Sequence, residues 1–202
     1  MIYFSQAQTD ALLLEDIQGG DLTTRALGIG AQPGVIEFSH RQGGCVSGTA
    51  VARQMLTSLG LTVTDILSDG ERANAGQRLI RAHGPAAALH QGWKAVQNVL
   101  EWSCGVSGYL IEMLSMLHQR YPDGQIACTR KAIPGTRLLA TQAILAAGGI
   151  IHREDAPKRY CCLLITAVFL PTQTTGQARL RAYAAMRQKK RSWSKRIRQM
   201  RH

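Results

Sequence analysis

Hydrophobic and polar positions change their rhythm along the chain. Val35-Ile36-Glu37-Phe38 reads as a strand, and Gly43-Gly44 as the turn behind it. Leu61 to Leu67 alternates apolar and polar residues as a half-buried strand does, Ser68-Asp69-Gly70 turns the chain, and Gln77 to Ala82 resembles another strand. Helical spacing predicts a short helix from Ala7 to Asp16, ended by Gly19-Gly20, and another from about Thr49 to Leu59. Between them, Asp21-Leu22-Thr23-Thr24 offers capping and turn groups. This first stretch is a mixed α+β layer.

From Ala86 the spacing becomes helical. Leu89, Trp93, Val96 and Leu100 fall on one face, and a second helix is expected with Leu110, Leu114 and Leu117 on its stripe. Ile126-Ala127-Cys128-Thr129 is a short buried strand, followed by a loop with Pro134-Gly135. Arg137 to Ala147 is then an alanine-rich helix stopped by Gly148-Gly149, and Ile150-Ile151 starts the next strand. Strand, helix, strand with this connection length is a βαβ unit, whose crossover implies parallel strands.

Charge changes the picture in its distribution. The net charge is +11, but up to Arg153 there are 12 Lys and Arg against 11 Asp and Glu; from Glu154 onward there are 12 against 2. The basicity that would suggest a polyanionic partner belongs to the last quarter of the chain. Cys45, Cys104, Cys128, Cys161 and Cys162 show no C-x-x-C pair, so neither a disulfide framework nor a zinc site is indicated. Met1-Ile2-Tyr3-Phe4 leads into Asp10, Glu15 and Asp16 without a basic or long apolar segment. A soluble, cytoplasmic protein with reduced thiols is expected.

Chemistry concentrates after the two short strands. Arg130 and Lys131 follow the first, His152 and Arg153 the second. In a parallel unit both strand ends lie at one edge, so these four side chains converge on one crevice suited to carboxylates or phosphates, where α/β barrels keep their active sites. Basic residues on solvated loops are the bland alternative. Gly19-Gly20, Gly43-Gly44 and Gly148-Gly149 complete no phosphate-loop or dinucleotide pattern. His40, His83, His90 and His118 lack ligand spacing and read as surface or core histidines, and Trp93 and Trp102 as helix-packing residues.

Residue order adds a family. Thr129-Arg130-Lys131-Ala132-Ile133-Pro134-Gly135 resembles the T-R-K-x-x-P-G segment of type II phosphoribosyltransferases, and Gly148-Gly149-Ile150-Ile151-His152-Arg153 their G-G-x-x-H-R. Glu15-Asp16 with Gly20-Asp21-Leu22-Thr23-Thr24 is similar to E-D…G-D-L-T-T, and Asn98-Val99-Leu100 with Cys104-Gly105-Val106 to N-x-L…S-G-I. The chain thus resembles the quinolinate phosphoribosyltransferase (nicotinate-nucleotide pyrophosphorylase) family, and most of all its branch named for molybdenum-transport operons.

The resemblance implies an α/β fold: an α+β sandwich domain with a helical end over 1–104, then the first part of a type II phosphoribosyltransferase α/β barrel over 105–153. It implies transfer of ribose 5-phosphate from phosphoribosyl pyrophosphate (PRPP) to a ring nitrogen of an acidic aromatic heterocycle such as quinolinate. Pyrophosphate leaves and, for quinolinate, carbon dioxide follows. By the same resemblance, Thr129 belongs to the binding segment, Arg130, His152 and Arg153 hold the heterocycle, and Lys131 faces PRPP. A magnesium ion and a homodimer are implied too, with Lys94 reaching into the neighbouring subunit's site where the family carries an arginine. Lysine keeps that charge but loses the bidentate fork. No side chain is singled out as a catalytic acid or base.

Residues 154–202 follow none of this and are expected to be a basic, disordered tail. In a frame offset by two bases, Glu154 to Thr166 back-translates into Gly-Cys-Ala-Glu-Thr-Ile-Leu-Leu-Phe-Ala-Asn-His-Arg, which resembles the family's next strand. A shifted frame after Arg153, leaving the barrel incomplete and activity in doubt, is the expectation. Two other functions stay open: a non-catalytic accessory of molybdate uptake, and a non-specific nucleic-acid binder acting through the tail.

Overall fold

The computed structural model describes residues 2–17 and 21–152. The tail, with Cys161 and Cys162, lies outside the described residues, as do Arg153 and the glycine pair at 19–20. In order, the elements are α1 (Gln6–Ile17), α2 (Leu22–Leu27), β1 (Pro33–His40), β2 (Gly44–Cys45), α3 (Thr49–Ser58) and β3 (Thr62–Ile66). β4 (Arg72–Ala73), β5 (Gln77–Pro85), α4 (Ala86–His118), β6 (Ala127–Cys128), α5 (Arg137–Ala146) and β7 (Ile150–Ile151) follow. No helix among the described residues is long and apolar enough to cross a membrane.

β1, β5 and β3 form an antiparallel sheet with β5 in the middle. β1 alternates exposed and half-buried positions over its whole length, the period-2 signature of a strand with one face on a core. Ile80 and Ala82 of β5 are fully buried and meet Val46, Val51, Met55, Leu56 and Val96 in the main core. The open face carries Arg78, which pairs with Glu37 at 2.7 Å and Asp65 at 3.2 Å. These exposed pairs add little stability.

The long helix departs from expectation. Where two helices are predicted between Ala86 and Leu117, α4 runs unbroken for 33 residues. Its buried stripe passes from Val96, Val99 and Leu100 through Ser103, Cys104 and Ser107 to Leu110. Small and polar side chains interrupt the apolar pattern there because the helix approaches β2 closely. Ser107 Oγ–H donates to the Cys45 carbonyl at 3.0 Å, and Ser47 N–H to Cys104 Sγ at 3.4 Å. Trp93 also differs from its predicted packing role: it is 47% exposed, while Leu89, Val96 and Leu100 of the same predicted stripe are buried.

α4 therefore spans the expected domain boundary at 104/105. Its N-terminal part packs in the main core, and Leu110 joins a second cluster with Cys45, Ile126, Ile144 and Ala147. That second cluster seats the βαβ unit.

Candidate active site

β6 and β7 pair in parallel, with Ala127 opposite Ile150 and Cys128 opposite Ile151. The Ile150 N–H donates to the Ile126 carbonyl at 3.0 Å and the His152 N–H to the Cys128 carbonyl at 2.8 Å. Thr129 and His152 are thus the first residues beyond the last paired positions of neighbouring strands, whose axes lie about 4.8 Å apart. Both are half-buried, whereas Arg130 and Lys131 are exposed on the loop that follows.

Local chemistry shapes that loop. The Ala132 N–H donates to the Arg130 carbonyl at 3.2 Å, a tight reversal centred on Lys131. Pro134 and Gly135 then occupy the middle of a turn closed by the Thr136 N–H on the Ile133 carbonyl at 3.0 Å. Gly135 has φ +89°, the value that a type II turn demands at its third position and that glycine meets without strain. Thr136 Oγ–H donates to the same carbonyl at 2.8 Å, and α5 starts at the next residue.

α5 returns the chain to the edge it left. Leu139, Ala143 and Ile144 are buried, and the helix ends at Gly148 with φ +80°. The Gly148 N–H bonds to the Leu145 carbonyl at 3.1 Å and the Gly149 N–H to the Ile144 carbonyl at 2.9 Å, the Schellman pattern that launches β7. Lying just before the loop, Cys128 has its thiol pushed up by burial, so it adds no negative charge beside the cations.

Thr129, Arg130, Lys131 and His152 follow the ends of two paired parallel strands at one edge. Arg153 lies outside the described residues. Lys94 is elsewhere, on the exposed side of α4, with Nζ 3.3 Å from Gln97 Oε1 and 5.6 Å from the centre of the Trp93 ring. Among the described residues no three His, Cys, Asp or Glu side chains gather, and Thr129, Arg130, Lys131 and His152 themselves carry no carboxylate.

Two polar clusters join residues far apart in sequence, although the capping role of Asp21 within one of them was legible from Asp21-Leu22-Thr23-Thr24. Asp69 Oδ1 accepts the Thr49 N–H at 2.9 Å and the Thr49 hydroxyl at 3.0 Å, while its Oδ2 accepts Gln142 Nε2, joining α3 to α5. Asp21 caps α2, accepting from the N–H groups of Thr23 at 3.0 Å and Thr24 at 3.1 Å. It also meets His90 Nδ1 at 2.9 Å, and Thr24 Oγ1 lies 2.7 Å from the same nitrogen. Burial raises the Asp21 carboxyl, but the His90 hydrogen bond and the two backbone N–H groups outweigh it and hold the group below its usual value. His90 was predicted to be an ordinary surface or core histidine; its partner is 69 residues away in sequence, beyond any local spacing rule.

Models of the quinolinate phosphoribosyl transferase N-terminal and C-terminal domains match residues 21–104 and 109–164. The chain belongs to the quinolinate phosphoribosyl transferase family. The two family domains meet inside α4, which is continuous across both. Over 153 residues the chain is 79% identical to "Putative pyrophosphorylase ModD" of Escherichia coli O6:H1 (strain CFT073), covering 76% of this chain and 54% of that protein. ModD of Pasteurella multocida (strain Pm70) is 49% identical over 154 residues, 76% of this chain and 55% of its own. The chain spans about half the length of the curated relatives it matches. The fold resembles a nicotinate-nucleotide pyrophosphorylase from Francisella tularensis, with a TM-score of 0.65 at 22% identity over 72% of this chain and 52% of that one.

Proposed function

We propose that the β6–β7 edge is the substrate-gripping half of a ModD-type phosphoribosyltransferase, moving ribose 5-phosphate from PRPP to the ring nitrogen of a carboxylated heterocycle such as quinolinate. The observation that carries this is the parallel pairing that sets His152 beside Thr129 and, one residue further, Arg130 and Lys131. The bond from the sugar's anomeric carbon to pyrophosphate breaks with its electron pair on the leaving group, and the ring nitrogen's lone pair forms the new bond. With quinolinate, the carboxylate beside that nitrogen then departs as carbon dioxide and the ring carbon takes a proton from water.

Negative charge on the heterocycle and on the departing pyrophosphate is what the cations meet. The guanidinium of Arg130 offers a planar fork to a carboxylate, and Lys131 a compact charge to phosphate. Such pre-placed donors favour charge that develops in the transition state. On this reading the protein is a cytoplasmic homodimer in which Lys94 serves the neighbouring subunit. Magnesium enters with the donor's phosphates.

Calorimetric titration of the purified chain with PRPP and with quinolinate tests this. Saturable binding of both supports it, and turnover to the nicotinate nucleotide would show that the chain itself completes the site. Heat of dilution alone for both ligands would overturn it.

A further inference from the structure

His90 and Lys94 stand one helical turn apart on α4, so their side chains share a face. Both are exposed, and His90's ring is fixed. Its Nδ1 lies 2.9 Å from Asp21 Oδ2 and 2.7 Å from Thr24 Oγ1, and Thr24 is itself buried. A carboxylate only accepts hydrogen bonds, so the proton shared with Asp21 sits on Nδ1. That leaves Nε2 as the edge of the ring turned to other partners; among the described residues it makes no hydrogen bond. The His90 side chain remains 44% exposed although one edge is locked.

We infer that His90 is a second anion-contacting residue beside Lys94, delivered with it into the site of a neighbouring copy of the chain. The inference rests on the reading of Lys94 given above and extends it. When the ring carries both protons, Asp21 balances the charge on the Nδ1 side and Nε2–H donates to a phosphate or carboxylate oxygen. Asp21 and Thr24 act as positioning residues: they fix the ring plane and deny Nδ1 to the ligand. Lysine at 94 supplies charge without a fork, and an imidazole N–H one turn away restores the second point of contact that a single ammonium lacks. Along the same helix Lys94 Nζ donates to Gln97 Oε1 at 3.3 Å and Gln97 Nε2 to Glu101 Oε1 at 2.8 Å.

His90→Asn isolates the claim, because the shorter amide can keep a hydrogen bond to Asp21 while removing the Nε2 edge. The full-length chain carrying His90→Asn, Lys94→Ala or Arg130→Ala is titrated with PRPP and, separately, with quinolinate. Melting curves establish that each variant is folded. His90→Asn is expected to remain cooperatively folded at the titration temperature yet bind one of the two ligands about tenfold more weakly; the ligand affected tells phosphate from carboxylate as the anion contacted. Mixing His90→Asn with Arg130→Ala is expected to regain parental affinity in a fraction of sites, since one hybrid site then draws both residues from intact copies. Unchanged affinity in His90→Asn, alongside losses in Lys94→Ala and Arg130→Ala, overturns the inference and leaves the site reading standing. Failure of every variant to alter affinity, or of the parent to bind, overturns both.

Discussion

The main-chain N–H of His152 bonds to the carbonyl of Cys128 at 2.8 Å, and this one rung fixes which side chains share the strand edge. A slip of one residue would exchange the faces of β7 and move His152 away from Thr129. Gly148 sets the register, since its φ of +80° ends α5 at the right residue. Gly148→Ala is therefore expected to destabilise the chain by about 1–2 kcal/mol, the cost of a left-handed conformation with a Cβ. Urea unfolding measures it; an unchanged midpoint would mean that β7 is not held by this cap.

Asp69 and Gln142 tie the N-terminal layer to the βαβ unit. Removing the carboxylate leaves the Thr49 and Gln142 donors without their acceptor in a site where Thr49 is 1% and Gln142 7% exposed. Asp69→Ala is expected to cost about 1–3 kcal/mol, the penalty for orphaned buried polar groups. A double-mutant cycle with Gln142→Ala should show coupling, because the two share one bond. Additive losses would contradict the tie.

The Asp21 carboxyl is held below its usual value of 3.8. A group depressed in the folded state stabilises above its unfolded value and loses that contribution as pH falls through the folded one. Asn caps a helix nearly as well as Asp, so Asp21→Asn removes mainly the charge facing His90. Parent and variant melting temperatures are expected to differ at neutral pH, to start approaching each other as pH falls below 3.8, and to meet only once it has passed the lower folded-state value. A gap that persists unchanged into strong acid would rule out the carboxylate as its source.

Burial pushes up the thiols of Cys45, Cys104 and Cys128. Thiolates are the reactive form, so iodoacetamide at mildly alkaline pH should modify these three slowly in the native chain and rapidly in urea. Peptide-resolved mass spectrometry reads each position separately. Fast native labelling at Cys104 would mean that α4 and β2 do not pack as described.

Much of this was legible in residue order, for identifiable reasons. Strand β3 follows from alternation, β1 and β5 from short apolar-rich runs next to turn signals, and α5 from its alanine-rich run and the Gly148-Gly149 stop. The Thr129-Arg130-Lys131 and His152 edge followed from the rule that a short crossover makes strands parallel. The continuity of α4 was hidden because Ser103 and Ser107 are buried for close approach rather than for hydrophobicity. Trp93 was misread since an aromatic at helical spacing looks like core, although its ring lies on the open side beside Lys94. The two-residue strands β2 and β4 are too short to leave a period. The Asp21–His90 and Asp69–Gln142 pairs join residues 69 and 73 positions apart, where only three-dimensional structure brings partners together.

The claim that the β6–β7 edge grips anions is tested most directly by comparing two neighbouring arginines. PRPP and quinolinate are titrated into the parent, Arg130→Ala and Arg137→Ala, the last removing an equal charge at the first residue of α5. Affinity for quinolinate is expected to fall by about tenfold or more in Arg130→Ala and to stay near the parental value in Arg137→Ala. Equal losses in both variants would reduce the site to general basicity, and no loss in Arg130→Ala would contradict it outright.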